Sequence, residues 1–136
     1  MPRFGTRSER FLEELHPKLV RLMREAIVHV DFSIREGHRP QRLQDRYFSE
    51  NKTHVKWPMS KHNSVPSRAV HLLPYPWPAD IDLDSRDARD RLHLFAGYVL
   101  AIALTNGVSL TWGGDWNHDW QTRDNNFDDL MHFELK

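Results

Sequence analysis

Nine histidines and no cysteine in a chain of 136 residues confine any transition-metal chemistry to imidazole and carboxylate. His62 stands in the polar, proline-containing stretch 60–68, and His71 follows inside the apolar run 69–73. A third histidine, His132, lies in segment 128–135. A catalytic zinc site takes three protein ligands and leaves one position for water, whose pKa the ion lowers to about 7. His62, His71 and His132 are the candidate ligands. Asp129 precedes His132 by three residues and can stand beside that water, taking its proton and passing it to a leaving amine. In an extended segment His132 and Glu134 share a face, so Glu134 can orient the imidazole from behind. Spacing alone leaves a second set open. His118 with Asp115 and Asp119 could hold zinc, or calcium through the carboxylates, although the spacing is not that of an EF-hand loop.

These residues need rigid elements to bring them together. Residues 69–73 and 131–135 read as strands, so His71 and His132 can be presented from a sheet while His62 reaches in from a loop. Residues 31–35 and 108–112 also alternate as strands, ending at Glu36-Gly37 and at Gly113-Gly114. Apolar residues from Phe11 to Val30 recur at helical spacing, with Ser8 as expected N-cap and Pro17 dividing a short helix from a longer one. Arg39 sits where the first strand gives way to a helix over 40–48, a position from which side chains point into clefts. The strongest helix is capped by Asp84 or Ser85, carries Ala88, Leu92, Phe95, Ala96, Val99, Leu100, Ala103 and Leu104 as its stripe, and ends at Asn106-Gly107. Three prolines make 74–78 an extended loop. Together these elements predict an α+β fold: a small antiparallel sheet with N-terminal helices and one central helix packed on it.

Composition narrows the function classes. The length suits one domain, with no separate binding module expected. Lysine plus arginine balance aspartate plus glutamate at 19 each, which gives no support to a nucleic-acid or acidic-membrane partner. No apolar run approaches a membrane span or a signal peptide, so the expected location is a cytoplasm until release. The five tryptophans gather late, and Trp112 and Trp116 beside a glycine pair could line a cleft for an extended ligand.

The motifs also resemble a family. Glu36-Gly37-His38-Arg39 with Gln44, Ser60-Lys61-His62, Pro66-Ser67-Arg68-Ala69-Val70, Trp112-Gly113-Gly114-Asp115-Trp116 and Asp129-x-x-His132-Phe133-Glu134-Leu135 follow the order found in M15 zinc peptidases. Within that family the chain resembles specifically the small phage endolysins that are L-alanyl-D-glutamate peptidases, relatives of the VanY and VanX type D,D-peptidases. The resemblance implies Zn2+, bacterial peptidoglycan as substrate, a monomer, and host lysis after holin-type release. It implies Arg39 as oxyanion stabiliser, Asp129 as acid/base, and Ser60, Gln44, Trp112, Asp115, Trp116 and Glu134 as substrate-binding or supporting residues. Other members of this broad group are D-Ala-D-Ala carboxypeptidases or dipeptidases, the alternative activity. One residue departs from the pattern: His71 stands where the family has an aspartate ligand. Imidazole is neutral, so the centre would carry about one more positive charge, with either a working three-histidine site or a weakened, wall-binding variant as the outcome.

Overall fold

Proline and a histidine cap divide the helical N-terminal region as the sequence predicts. The computed structural model describes all 136 residues, and α1 (Thr6–Leu12) gives way to α2 (Pro17–Ala26). Proline at the first position of α2 costs no hydrogen bond, and His16 Nδ1 accepts from the Lys18 amide at 3.1 Å. Ser8 is not the cap of α1. That place belongs to Gly5, and the buried Ser8 hydroxyl instead accepts from the Ile34 amide at 3.0 Å. The neighbouring strand is a sheet edge, and its amides need acceptors from outside the sheet.

That strand is β1 (Phe32–Glu36), followed by α3 (Gln41–Ser49), a 3-10 turn at Lys61–Asn63, β2 (Ala69–Pro74), α4 (Arg86–Thr105), β3 (Leu110–Gly113) and β4 (Asp129–Leu135). The strands form one antiparallel sheet in the order β1-β2-β4-β3. Ser85 caps α4 by accepting from the Ala88 amide at 3.2 Å, and Gly107, with φ +66°, follows its C-terminus in the left-handed region. Helix α4 packs across β2, β3 and β4, while α1 lies against β1 and α2 against α4. Its Phe95 ring stands 5.2 Å from Phe32 of β1 and 6.4 Å from Phe133 of β4, which ties the outer and inner strands to one core. Each such large side chain contributes about 1.5–3 kcal/mol by leaving water. The expected α+β architecture is the one observed.

Alternation assigns the sheet faces. Val70 and Leu72 of β2 and Phe133 and Leu135 of β4 are buried in the core. His71, His132 and Glu134 therefore look out on the opposite face. His71 and His132 are direct cross-strand partners in the β2–β4 register.

Two irregularities then bring carboxylates to that same face. In β1, Ile34 pairs with Leu72 while Glu36 pairs with His71, so Arg35 is an extra residue. Ile34 is buried in the core, and strict alternation would send Glu36 there too; the bulge turns it outward. Between β3 and β4, Trp112 pairs with Phe133 but Gly113 pairs with Asp129. Asp129 and His132 are an odd number of residues apart, yet this shift places them on one face. A Cβ at Gly113 would lie 2.0 Å from the Asp129 carbonyl oxygen, so glycine is what permits the approach.

Candidate metal centre

The outward face of β2 and β4 is the floor of a cleft of about 720 Å3, with Arg39, Tyr47, Trp116 and Phe127 among its lining residues. His62 enters this floor from the 3-10 turn, which Ser60 caps by accepting from the His62 amide at 3.2 Å. Asn63, at the end of the turn, donates to the Arg39 carbonyl at 3.0 Å, and the Arg39 amide donates to the His62 carbonyl at 2.7 Å. Loop and strand exit are thereby clamped together.

One nitrogen from each of His62, His71 and His132 lies within 4.8 Å of the others. His62 Nε2 is 3.3 Å from His132 Nδ1, and His71 Nε2 is 3.2 Å from the same atom. A tetrahedral ion with metal–nitrogen bonds of about 2.0–2.1 Å separates its ligand nitrogens by about 3.3–3.4 Å. Two of the three nitrogen pairs stand at that spacing, and the third lies within 4.8 Å.

The hydrogen bonds on the far sides of the rings fix the tautomers. His62 Nδ1 donates to the Gly37 carbonyl at 2.8 Å, leaving Nε2 with a bare lone pair in the neutral ring. His132 Nε2 faces Glu134 Oε1 at 2.8 Å, so its proton belongs there and Nδ1 carries the lone pair. Burial, and then the positive fields of His71, His132 and Arg39, push the His62 pKa well below its ordinary value and keep it neutral. Two lone pairs thus converge with no proton between them, an arrangement that a cation satisfies.

Carboxylates flank the histidines on two edges. Asp129 Oδ2 is 3.5 Å from His71 Nε2 and 3.9 Å from His132 Nδ1. Burial pushes its carboxyl up, but the His71 hydrogen bond and the charges of His71, His132 and Arg39 outweigh this and hold it below the usual range. On the other edge Glu36 Oε1 is 3.7 Å from His62 Nε2 and 3.8 Å from His71 Nδ1. Behind His132, Glu134 is also partly buried, which raises its pKa; His132 and Lys61, whose ammonium is 3.0 Å away, more than offset that.

The other expected site residues divide into two groups. Arg39 is buried at the cleft, donating from Nε to Glu36 Oε2 at 3.2 Å, from Nη2 to Glu36 Oε1, and from Nη1 to Gln44 Oε1 at 3.1 Å. Its guanidinium stacks 4.9 Å from the Tyr47 ring. Gln44 is fully buried and also accepts from Asn63, so it braces Arg39 from below the cleft surface. Trp116 lines the cleft, its ring 5.4 Å from His132 and stacked on Phe127. Trp112 and Asp115 lie elsewhere. Trp112 is in the core, donating to the Leu130 carbonyl at 2.8 Å, because alternation along β3 turns it toward α4. The Asp115 carboxylate accepts from the amides of Asp119 and Trp120 at 3.2 and 3.1 Å and shapes its own loop. His118 pairs with Thr111 at 2.7 Å, and the alternative His118, Asp115 and Asp119 set forms no three-ligand cluster. Glu36 was missed as a site residue because period-two alternation buries it; its place directly before the Gly37 turn was the available signal.

The same arrangement of helices on a four-stranded sheet is found in a peptidase. The crystal structure of the L-Ala D-Glu endopeptidase ChiX from Serratia marcescens matches with a TM-score of 0.71 and 27% identity, covering 99% of this chain and 91% of that one. The family described as phage L-alanyl-D-glutamate peptidase matches residues 1–136, and the chain belongs to that family. No curated protein sequence matches it.

Proposed function

We propose that the protein is a zinc-dependent endopeptidase that hydrolyses the bond between L-alanine and D-glutamate in the peptide stem of bacterial peptidoglycan. The observation that carries this reading is the trio of converging imidazole nitrogens on a cleft floor, two of its three pairs at tetrahedral spacing, with Asp129 against two of the rings. His62, His71 and His132 would hold the ion. When bound, zinc polarises the scissile carbonyl and acidifies the attacking water.

The chain's own groups do the rest. Asp129, ionised at neutral pH, accepts the proton of the attacking water and delivers it to the leaving amine of D-glutamate. The Glu134 carboxylate holds His132 in the tautomer that points Nδ1 inward. Arg39 spends three of its N–H groups on Glu36 and Gln44, and its remaining donors are those it can offer to the developing oxyanion. Trp116 and Phe127 form an apolar wall beside the reacting bond. In this reading a monomer waits in the host cytoplasm and reaches the wall after holin-type permeabilisation, causing lysis. No helix is long and apolar enough to cross a membrane.

Digestion of purified peptidoglycan followed by mass analysis tests the reading. New N-terminal D-glutamate is expected, and chelation should abolish its appearance. Release of D-alanine would assign the carboxypeptidase activity instead, and an intact wall would leave a binding protein.

A further inference from the structure

We infer that Glu36 is a positioning residue of the metal centre, supplying from outside the ligand set the negative charge that three neutral imidazoles lack. This rests on the reading of His62, His71 and His132 as metal ligands.

Three histidines bring no charge to a dication. Asp129 is one nearby anion, but its role requires it to take up a proton during turnover. Two more are Glu134 and Glu36, and their geometries differ. Glu134 touches His132 at 2.8 Å and fixes a tautomer. Glu36 Oε1 stands 3.7 Å from His62 Nε2 and 3.8 Å from His71 Nδ1, beyond hydrogen-bond length to either, on the edge of the trio away from Asp129. A carboxylate at that range acts on the site through its field, which the paired Arg39 guanidinium partly offsets.

The fold spends several features on holding it there. The β1 bulge at Arg35 turns Glu36 out of the core to face His71 across the strand pair. Both carboxylate oxygens are engaged by the fork of Arg39, which keeps the anion from folding onto the imidazoles. Arg39 is itself fixed by Gln44, and Gln44 by Asn63 and the Val55 carbonyl. With its side chain only 17% exposed, Glu36 is screened little by solvent.

The bland alternative is that Glu36 exists to neutralise buried Arg39. The two roles differ in how Glu36 couples to His71. A carboxylate at position 71 would place an anion directly on the ion, so His71→Asp should make the Glu36 charge redundant. Zinc dissociation constants are measured by competition with a chromophoric chelator for the wild type, Glu36→Gln, His71→Asp and the double variant, with circular dichroism reporting the fold of each apoprotein.

Glu36→Gln, which keeps shape and loses charge, is expected to weaken zinc binding by about 10–100-fold. In the His71→Asp background the same change should cost much less, a non-additive cycle. Equal zinc affinity of wild type and Glu36→Gln, or the same loss in both backgrounds, overturns the inference and leaves Glu36 as a partner of Arg39. A wild type that binds no zinc overturns the ligand assignment, and this inference with it. If Glu36→Gln does not fold, the cycle is read with Glu36→Asp, which keeps the charge but withdraws it by one methylene. A loss relieved by His71→Asp then supports the role, and an unrelieved loss or none refutes it.

Discussion

Gly113→Ala is a one-carbon change whose cost can be worked from the crossing of β3 and β4. The added Cβ would meet the Asp129 carbonyl oxygen at 2.0 Å and its carbonyl carbon at 2.9 Å, whereas ordinary van der Waals contact begins at 3.4 Å. The strands must part by more than 1 Å at that point. Both contacts are backbone, so no side-chain rotation relieves them. Overpacking of this kind costs about 1–3 kcal/mol, which for a domain of this size lowers Tm by roughly 4–12 °C. The shift falls on the residue whose carboxylate is 3.5 Å from His71, and a displacement of about 1 Å at a reacting group costs about 100-fold in rate. Thermal unfolding followed by circular dichroism measures the first effect, and turbidity loss of a peptidoglycan suspension the second. Wild-type Tm with wild-type activity would refute the claim that Gly113 sets the position of Asp129. Lowered stability with full activity would refute only the link to catalysis.

Three further outcomes are expected. Asp129→Asn should retain zinc while peptide cleavage falls by about 10²–10⁴-fold; retained turnover would remove Asp129 from the acid/base role. Glu134→Ala releases His132 from its 2.8 Å partner, and zinc affinity measured by chelator competition should weaken by about 10–100-fold. The Arg24 hydrogen bonds hold the Glu9 carboxyl below its ordinary range, so this pair's contribution is present above the unfolded carboxyl pKa and lost as pH falls through the lowered value. Both partners are substantially solvated, which limits the contribution to under about 1 kcal/mol, and Glu9→Gln should flatten the acid limb of urea-unfolding stability slightly without touching activity.

The helices, strands and the clustering of three histidines were legible because each is written in a regular period or in residue chemistry. Pro17, Ser85 and Gly107 mark helix ends by backbone physics that tertiary context does not override. His71 and His132 could be placed on one face because they flank core residues in regular alternation. Glu36 could not, and the shared face of Asp129 and His132 was not derivable from strand alternation, since a bulge changes the face without leaving a mark in hydrophobic pattern. Trp112 shows the reverse case: an aromatic residue beside a glycine pair reads as a cleft wall, yet alternation sends it inward. Ser8 was misread because the acceptor needs of a sheet edge 26 residues away are invisible to a local capping rule.

Strand order has a consequence for how the chain is made. β4 follows every other element in sequence but lies between β2 and β3 in the sheet. During synthesis, residues 1–128 emerge with neither His132 nor the strand that joins the two halves of the sheet. Until β4 slides in, β2 and β3 present unpaired edges, and the nascent polypeptide cannot bring its three imidazoles together. The last strand therefore closes the sheet and completes the histidine cluster in a single act. A polypeptide stalled or clipped before that strand would keep those edges open and lack the third histidine.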